Sequence, residues 1–269
     1  MERQTLVVSD PPHGKVDHGA VAEVLGLELA DASLKIGFAA PEVLRASDPA
    51  RAAPFAHLVR EAGLSVAVID GADLARVPWP APLSSFTFGR EGIVGEALGT
   101  GVIVRYDEPV VAVYCKPPAN YTRPATPPLG SEAEGLAIAE AIDGMSILDL
   151  HFQSRGSLAR VSIVQDVTDF TALGELRRAT PEENMAAVLK ECGRRFAHIH
   201  VDSRLDGVRP RRRFVAGEAG FNMDLRKHYS FGTLLLRHAL ASISADLKDL
   251  PHYEYGSRLG CAMSRAASS

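Results

Sequence analysis

Three clusters in the chain carry side chains that could do chemistry. The first is His198-Ile199-His200-Val201-Asp202. Alternate residues of an extended segment point to one side, so His198 and His200 would present two imidazoles together with the Asp202 carboxylate next in line. Such a donor set suits one divalent metal ion. The second cluster is Arg209-Pro210-Arg211-Arg212-Arg213, whose adjacent guanidiniums could meet phosphate oxygens. The third is the pair Asp166 and Asp169, three apart where a strand gives way to a loop. No base, nucleophile or oxyanion motif accompanies them, and they read as turn residues.

Each cluster has a plainer reading. His-x-His segments also occur as polar loop packing, and the other histidines nearby in sequence, His228, His238 and His252, lack ligand spacing. Basic residues 209 to 213 have no interleaved aromatic rings on which bases could stack, and Glu218 follows, as expected for a solvated loop. The glycines at 89, 92, 95, 99 and 101 do not form a dinucleotide fingerprint, and no Gly-Lys-Ser/Thr follows them, so hairpin turns are expected there. The order His198-x-His200-x-Asp202 resembles the His-x-His-x-Asp-His motif of metallo-β-lactamase-like hydrolases, with Ser203 where that motif has its last histidine. That resemblance implies one alternative function, a metal-dependent hydrolase using His198, His200 and Asp202. No catalytic, cofactor-binding or metal-ligating residue is assigned from the sequence.

The chain that must position these residues has 269 of them, enough for two small domains. Hydrophobic residues make up 46% and charged residues 23%, as in folded globular proteins. A formal charge of −4 argues against a general attraction to nucleic acid or to an anionic membrane. Cys115, Cys192 and Cys261 are far apart and form no CxxC pair, so they are expected to act as small hydrophobes in a reducing compartment. The first residues lack the apolar core of a signal peptide, and no stretch approaches the roughly 20 apolar residues that span a bilayer. A bacterial cytoplasmic protein is the expectation.

Residues 5 to 70 read as βααβαβ. Thr5 to Ser9 is a short β-branched run stopped by Asp10-Pro11-Pro12-His13-Gly14. Asp17 can cap a helix with Val21, Val24 and Leu25 inward, ended by Gly26. A second helix follows through Ala30, Leu34 and Gly37, and Pro41 breaks it before a strand, Glu42 to Ala46. Ser47 or Asp48 caps a third helix with Pro49 at its start and an expected inner stripe of Ala53, Ala56, Leu58, Val59 and Ala62. Gly63 stops it, and Leu64 to Ile69 is the last strand. Helices are expected on one face of this sheet. The runs Gly26-Leu27-Glu28-Leu29-Ala30-Asp31-Ala32, Ala40-Pro41-Glu42-Val43-Leu44 and Arg60-Glu61-Ala62-Gly63 resemble the C-terminal domain of the bacterial ribosomal stalk protein, and the Clp protease adaptor ClpS has a similar fold. In the stalk family this domain meets translational GTPases through basic and apolar residues of its first helices. Here the first helix reads Val16-Asp17-His18-Gly19-Ala20-Val21-Ala22-Glu23, with Lys15 as its basic neighbour.

Beyond a proline-rich connector, Val77 to Pro82, the pattern turns to short strands. They are expected at Phe86 to Phe88, Gly92 to Glu96, Gly101 to Tyr106 and Val110 to Tyr114, then at Ser146 to Phe152 and Leu158 to Gln165. Lys116 to Ser131 holds five prolines in sixteen residues and reads as an exposed loop, with a short helix, Glu132 to Ile142, after it. Thr180-Pro181-Glu182-Glu183 is a capping box opening a helix with Met185, Val188, Leu189, Cys192 and Phe196 on one face. A meander followed by a helix is reminiscent of small pleckstrin-homology-like barrels. A last helix is expected over residues 231 to 247, capped by Ser230 with His238 beside its apolar face, and Pro251 ends it. A frayed tail is expected from Cys261 onward.

The reading is therefore an α+β chain in three parts. Residues 1–76 form the stalk-like domain. A β-rich domain over 84–200 carries the loop 116–131 and the helix 181–197, and a helical segment covers 201–269. The function expected is non-enzymatic binding or regulation, with a protein or a small molecule as ligand and no cofactor. The alternatives are the metal-dependent hydrolase and an RNA- or ribosome-associated protein acting through Arg211 to Arg213.

Overall fold

Leu6, Val7 and Val8 are fully buried, so strand β1 (Thr5–Ser9) has apolar neighbours on both of its faces. The computed structural model describes residues 5–10, 15–36, 42–116, 145–206 and 252–268. It is an α+β structure in two units, one made of residues 1–75 with 208–269 and the other of residues 76–207.

In the first unit β1 is the middle strand of an antiparallel sheet, between β2 (Glu42–Ser47) and β3 (Val66–Asp70). Helices α1 (His18–Leu25), α2 (Leu29–Ile36) and α3 (Pro49–Glu61) pack with Val7 and Val66 in one core. Their ends follow the local chemistry. Asp17 accepts the amides of Gly19 and Ala20, and Asp48 accepts that of Arg51. Gly26 (φ 63°) and Gly63 (φ 92°) take the left-handed conformation that lets the following residue's N–H reach back to Ala22 and Val59. The inner stripe of α3 is Ala52, Phe55, Ala56, Val59 and, just past its end, Ala62. The expected Ala53 and Leu58 face outward, because each lies about 100° of helical rotation or more from the Ala52–Phe55–Val59 line.

The opposite face of this sheet, with Leu6, Val8 and Ile69, overturns three expectations, the first being that helices lie on one face alone. It is covered by helix α6 (His252–Ser268), which packs on β3 and on the short helix α4 (Gly71–Ala75). Cys261 to Ser268 are thus no frayed tail but helix, with Cys261, Ala262 and Met263 buried. The C-terminal helix belongs to the first unit rather than to a separate segment, because a sheet with apolar side chains on both faces needs two covers. Arg258 is fully buried in α6, donating to Glu254 at 2.7 Å and to the carbonyl of Leu74 at 3.0 Å.

The second unit holds two sheets. The smaller has the antiparallel order β4 (Leu83–Phe88), β5 (Gly92–Ala97), β6 (Thr100–Arg105). Gly92 and Gly95 lie within β5 rather than in turns. A Cβ there would come within 2.3 Å of the Val104 carbonyl oxygen and 2.7 Å of the Ser85 carbonyl oxygen, so close backbone approach explains both glycines. The larger sheet has the order β10 (Ile199–Asp206), β7 (Val110–Lys116), β8 (Ile147–Ser154), β9 (Ser157–Val164). Strands β8 and β9 meet at Arg155-Gly156, both with positive φ, the tight turn that suits strand twist. Helix α5 (Pro181–Arg195) opens with the expected capping box, both of its hydrogen bonds formed. It then leads into β10, which pairs parallel with β7. The arrangement departs from a pleckstrin-homology-like barrel for that reason: α5 is a crossover between parallel strands, which a hairpin cannot join, and not a terminal helix.

The Pro-rich loop, the expected helices at 132–142 and 231–247, His228, His238 and Arg209 to Arg213 lie outside the described residues. Among the described residues no helix is long and apolar enough to cross a membrane.

Arg258→Ala withdraws the charge that balances Glu254 in a buried pair, a loss of about 3–5 kcal/mol. Denaturant unfolding of the full chain should show that loss, whereas the apolar pair Glu254→Leu with Arg258→Met should restore most of it. An Arg258→Ala chain as stable as the parent would contradict the docking of α6.

Candidate functional site

The two faces of the larger sheet differ in chemistry. One carries Val110, Ala112, Tyr114, Leu148, Leu150, Phe152, Val161 and Ile163, packed with Met185, Val188 and Cys192 of α5 in a single apolar core. The strand pairings put a different set on the other face. Asp202 aligns with Val113, Val113 with Asp149 and Asp149 with Ser162. One pleat further along, His200 aligns with Val111, Val111 with His151 and His151 with Arg160. Alternation along each strand keeps both rows on one face. Asp149, His151, Arg160, Ser162 and Asp202 are all buried there, none more than 4% exposed.

Within this face Asp149 is the hub. Its Oδ2 accepts from Arg160 Nη2 at 2.6 Å and its Oδ1 from the Ser162 hydroxyl at 2.5 Å. Burial on its own would raise the Asp149 pKa, but the charge and hydrogen bond of Arg160, helped by His151 and Ser162, hold it below the ordinary carboxylate range. Arg160 also donates to the Pro78 carbonyl at 3.2 Å, and the Ser162 amide donates to that of Ala81 at 3.0 Å. The proline-rich connector is therefore pinned along β9 by the same residues that hold Asp149.

The sequence clusters fare differently. His198 and His200 are exposed, while Asp202 is buried. His198 lies in the turn before β10, which is an edge strand among the described residues, and only His200 and Asp202 join the polar rows. Among the described residues no three His, Cys, Asp or Glu side chains are grouped so as to hold a metal ion. Asp166 is exposed. Asp169 accepts the amide of Thr171 at 2.8 Å and its hydroxyl, bonds that lower its pKa and make it the turn residue expected. Cys192 is buried in the apolar core, which pushes its thiol up to about 12. The polar face itself was not singled out in the sequence. Its signal is there, as Asp149 and His151, then Arg160 and Ser162, at period two inside the otherwise apolar runs 147–152 and 158–164.

A second ionic cluster closes α5. Glu191 accepts from Arg194 at 2.9 and 2.6 Å and from Arg195 at 2.5 Å. Arg195 also lies over the rings of Phe88, at 5.2 Å, and Tyr106, at 5.8 Å. The bonds from Arg194 and then Arg195 outweigh burial and hold the Glu191 carboxyl at about 2.

The chain matches no protein-family model, no curated protein and no solved structure.

Asp149 and Glu191 both have folded pKa values below their unfolded ones, so their stabilisation is complete at neutral pH and is lost on acidification. For Glu191 the loss runs from its unfolded value of 4.5 down through about 2. Glu191→Gln should flatten the fall in denaturant midpoint over that range. An unchanged acid slope in the variant would contradict the assignment.

Proposed function

We propose that the protein acts by binding, as a regulatory or adaptor component, and that the polar sheet face shapes its binding surfaces instead of turning over a substrate. The observation that carries this reading is the hydrogen-bond network around Asp149. The Ser162 hydroxyl donates a hydrogen bond to a carboxylate whose pKa Arg160 holds below the ordinary range. Such a carboxylate is a poor base, and a serine bonded to it is not an activated nucleophile. The same groups hold the connector at Pro78 and Ala81, which gives them a structural task.

A protein ligand is the chemistry we favour. We base this on the sequence resemblance of residues 5–70 to the ribosomal stalk domain, a module that works by presenting helices to partner proteins. At the joint between α1 and α2, Leu27 is 37% and Leu29 57% exposed, apolar surface of the kind such contacts use.

A hydrolase panel tests the reading: aryl esters and a phosphodiester, with and without Zn²⁺, Mg²⁺ and Mn²⁺, applied to the parent chain, Ser162→Ala and His200→Ala. The expected result is no turnover above buffer in any of them, with Ser162→Ala less stable by about 1–3 kcal/mol from the lost buried hydrogen bond. Turnover by the parent that either variant abolishes would overturn it.

A further inference from the structure

Strand β6 lies at one edge of the three-stranded sheet, with β5 as its neighbour among the described residues. Its sequence, Thr100-Gly101-Val102-Ile103-Val104-Arg105, is β-prone and has no proline or lysine to discourage a further strand. Tyr106 donates its amide to Glu91 across the β5–β6 pair. By alternation Gly101, Ile103 and Arg105 turn their backbone N–H and C=O groups toward the open edge. The outer face of the sheet is also apolar at its centre. Val94 and Ile103 are direct cross-strand partners, 43% and 45% exposed, a pairing usually found covered.

We propose that β6 pairs antiparallel with β6 of a second copy of this chain, about a two-fold axis at Ile103. Among the registers open to the outward-facing residues, this one puts Arg105 opposite Gly101 of the second copy. Gly101 has open space where a Cβ would stand, and its partner on β5 is the exposed Glu96 on the same face. Two strand spacings, about 9.5 Å, separate Arg105 from Glu96 of the second copy, within the combined reach of their side chains. Glycine is what lets the guanidinium cross. The two-fold axis repeats the contact, so each copy supplies one Arg105 and one Glu96. Between these charges runs an apolar row, Val94 and Ile103 of one copy followed by Ile103 and Val94 of the other.

Arg105 is available for the exchange. It contacts Asp107 at 3.3 Å and Glu91 at 3.6 Å, both highly exposed, and pairs of that kind contribute little. The contact is isologous, so it closes as a dimer and does not propagate into a fibre. It uses neither the polar sheet face nor the Leu27–Leu29 joint, and it stands independently of the binding function proposed above.

Sedimentation velocity on the full chain, from about 1 to about 300 μM, tests it. The parent should sediment as a monomer–dimer equilibrium. Ile103→Lys should leave a monomer with an unchanged circular dichroism spectrum, since the position is exposed. Arg105→Glu and Glu96→Arg should each weaken the dimer at least tenfold, and the swap Glu96→Arg with Arg105→Glu should restore it. A parent that stays monomeric throughout overturns the proposal and leaves the edge to a strand from another protein. A dimer indifferent to Ile103→Lys, or a swap that fails to rescue, overturns it equally.

Discussion

A sheet that is buried on both faces has to satisfy whatever its second face carries, and much of this structure follows from that constraint. In the first unit the second face is apolar. Leu6, Val8 and Ile69 require a cover, and among the described residues α6, far along the sequence, supplies one. Covering three such side chains is worth about 1.5–3 kcal/mol each. The first unit is therefore built from both ends of the chain, with residues 76–207 inserted between them in sequence. In the larger sheet of the second unit the second face is polar, and the requirement is different. Its ionised and hydroxyl groups must be paired: Asp149 takes hydrogen bonds from Arg160 and Ser162, and Arg160 gives another to the Pro78 carbonyl.

The local parts of the fold were legible in the residues. Asp17, Asp48, Thr180 with Glu183, Gly26 and Gly63 all do in the structure what their types and positions suggest, because caps and left-handed turns are decided within a few residues. The short strands are also where β-branched runs and turn residues place them. Long-range pairing was not legible. Nothing around Ile199 announces that β10 will lie parallel to β7, and nothing near Cys261 shows that the helix there will cover β3. Both depend on contacts between residues about 90 or more apart.

The candidate site shows the same division. His-x-His-x-Asp drew attention because its spacing is a local pattern. The more consequential residues, Asp149, His151, Arg160 and Ser162, form a site only once β8 and β9 are paired in register, since each strand taken singly contributes two of the four. The pairing of Asp202 with Asp149 through Val113 likewise exists only in the folded sheet. A buried ion pair is often no more stabilising than apolar residues of equal volume. Its presence here is better explained by what it positions, the connector at Pro78 and Ala81, than by stability alone.

That positioning can be measured by native-state hydrogen exchange on the full chain, comparing the parent with Arg160→Met. The Ser162 amide, donated to Ala81, should exchange roughly tenfold faster in the variant as the connector loosens, while the β7 amides keep their protection. Equal exchange at Ser162 in the two proteins would contradict the claim that the polar face holds the connector in place.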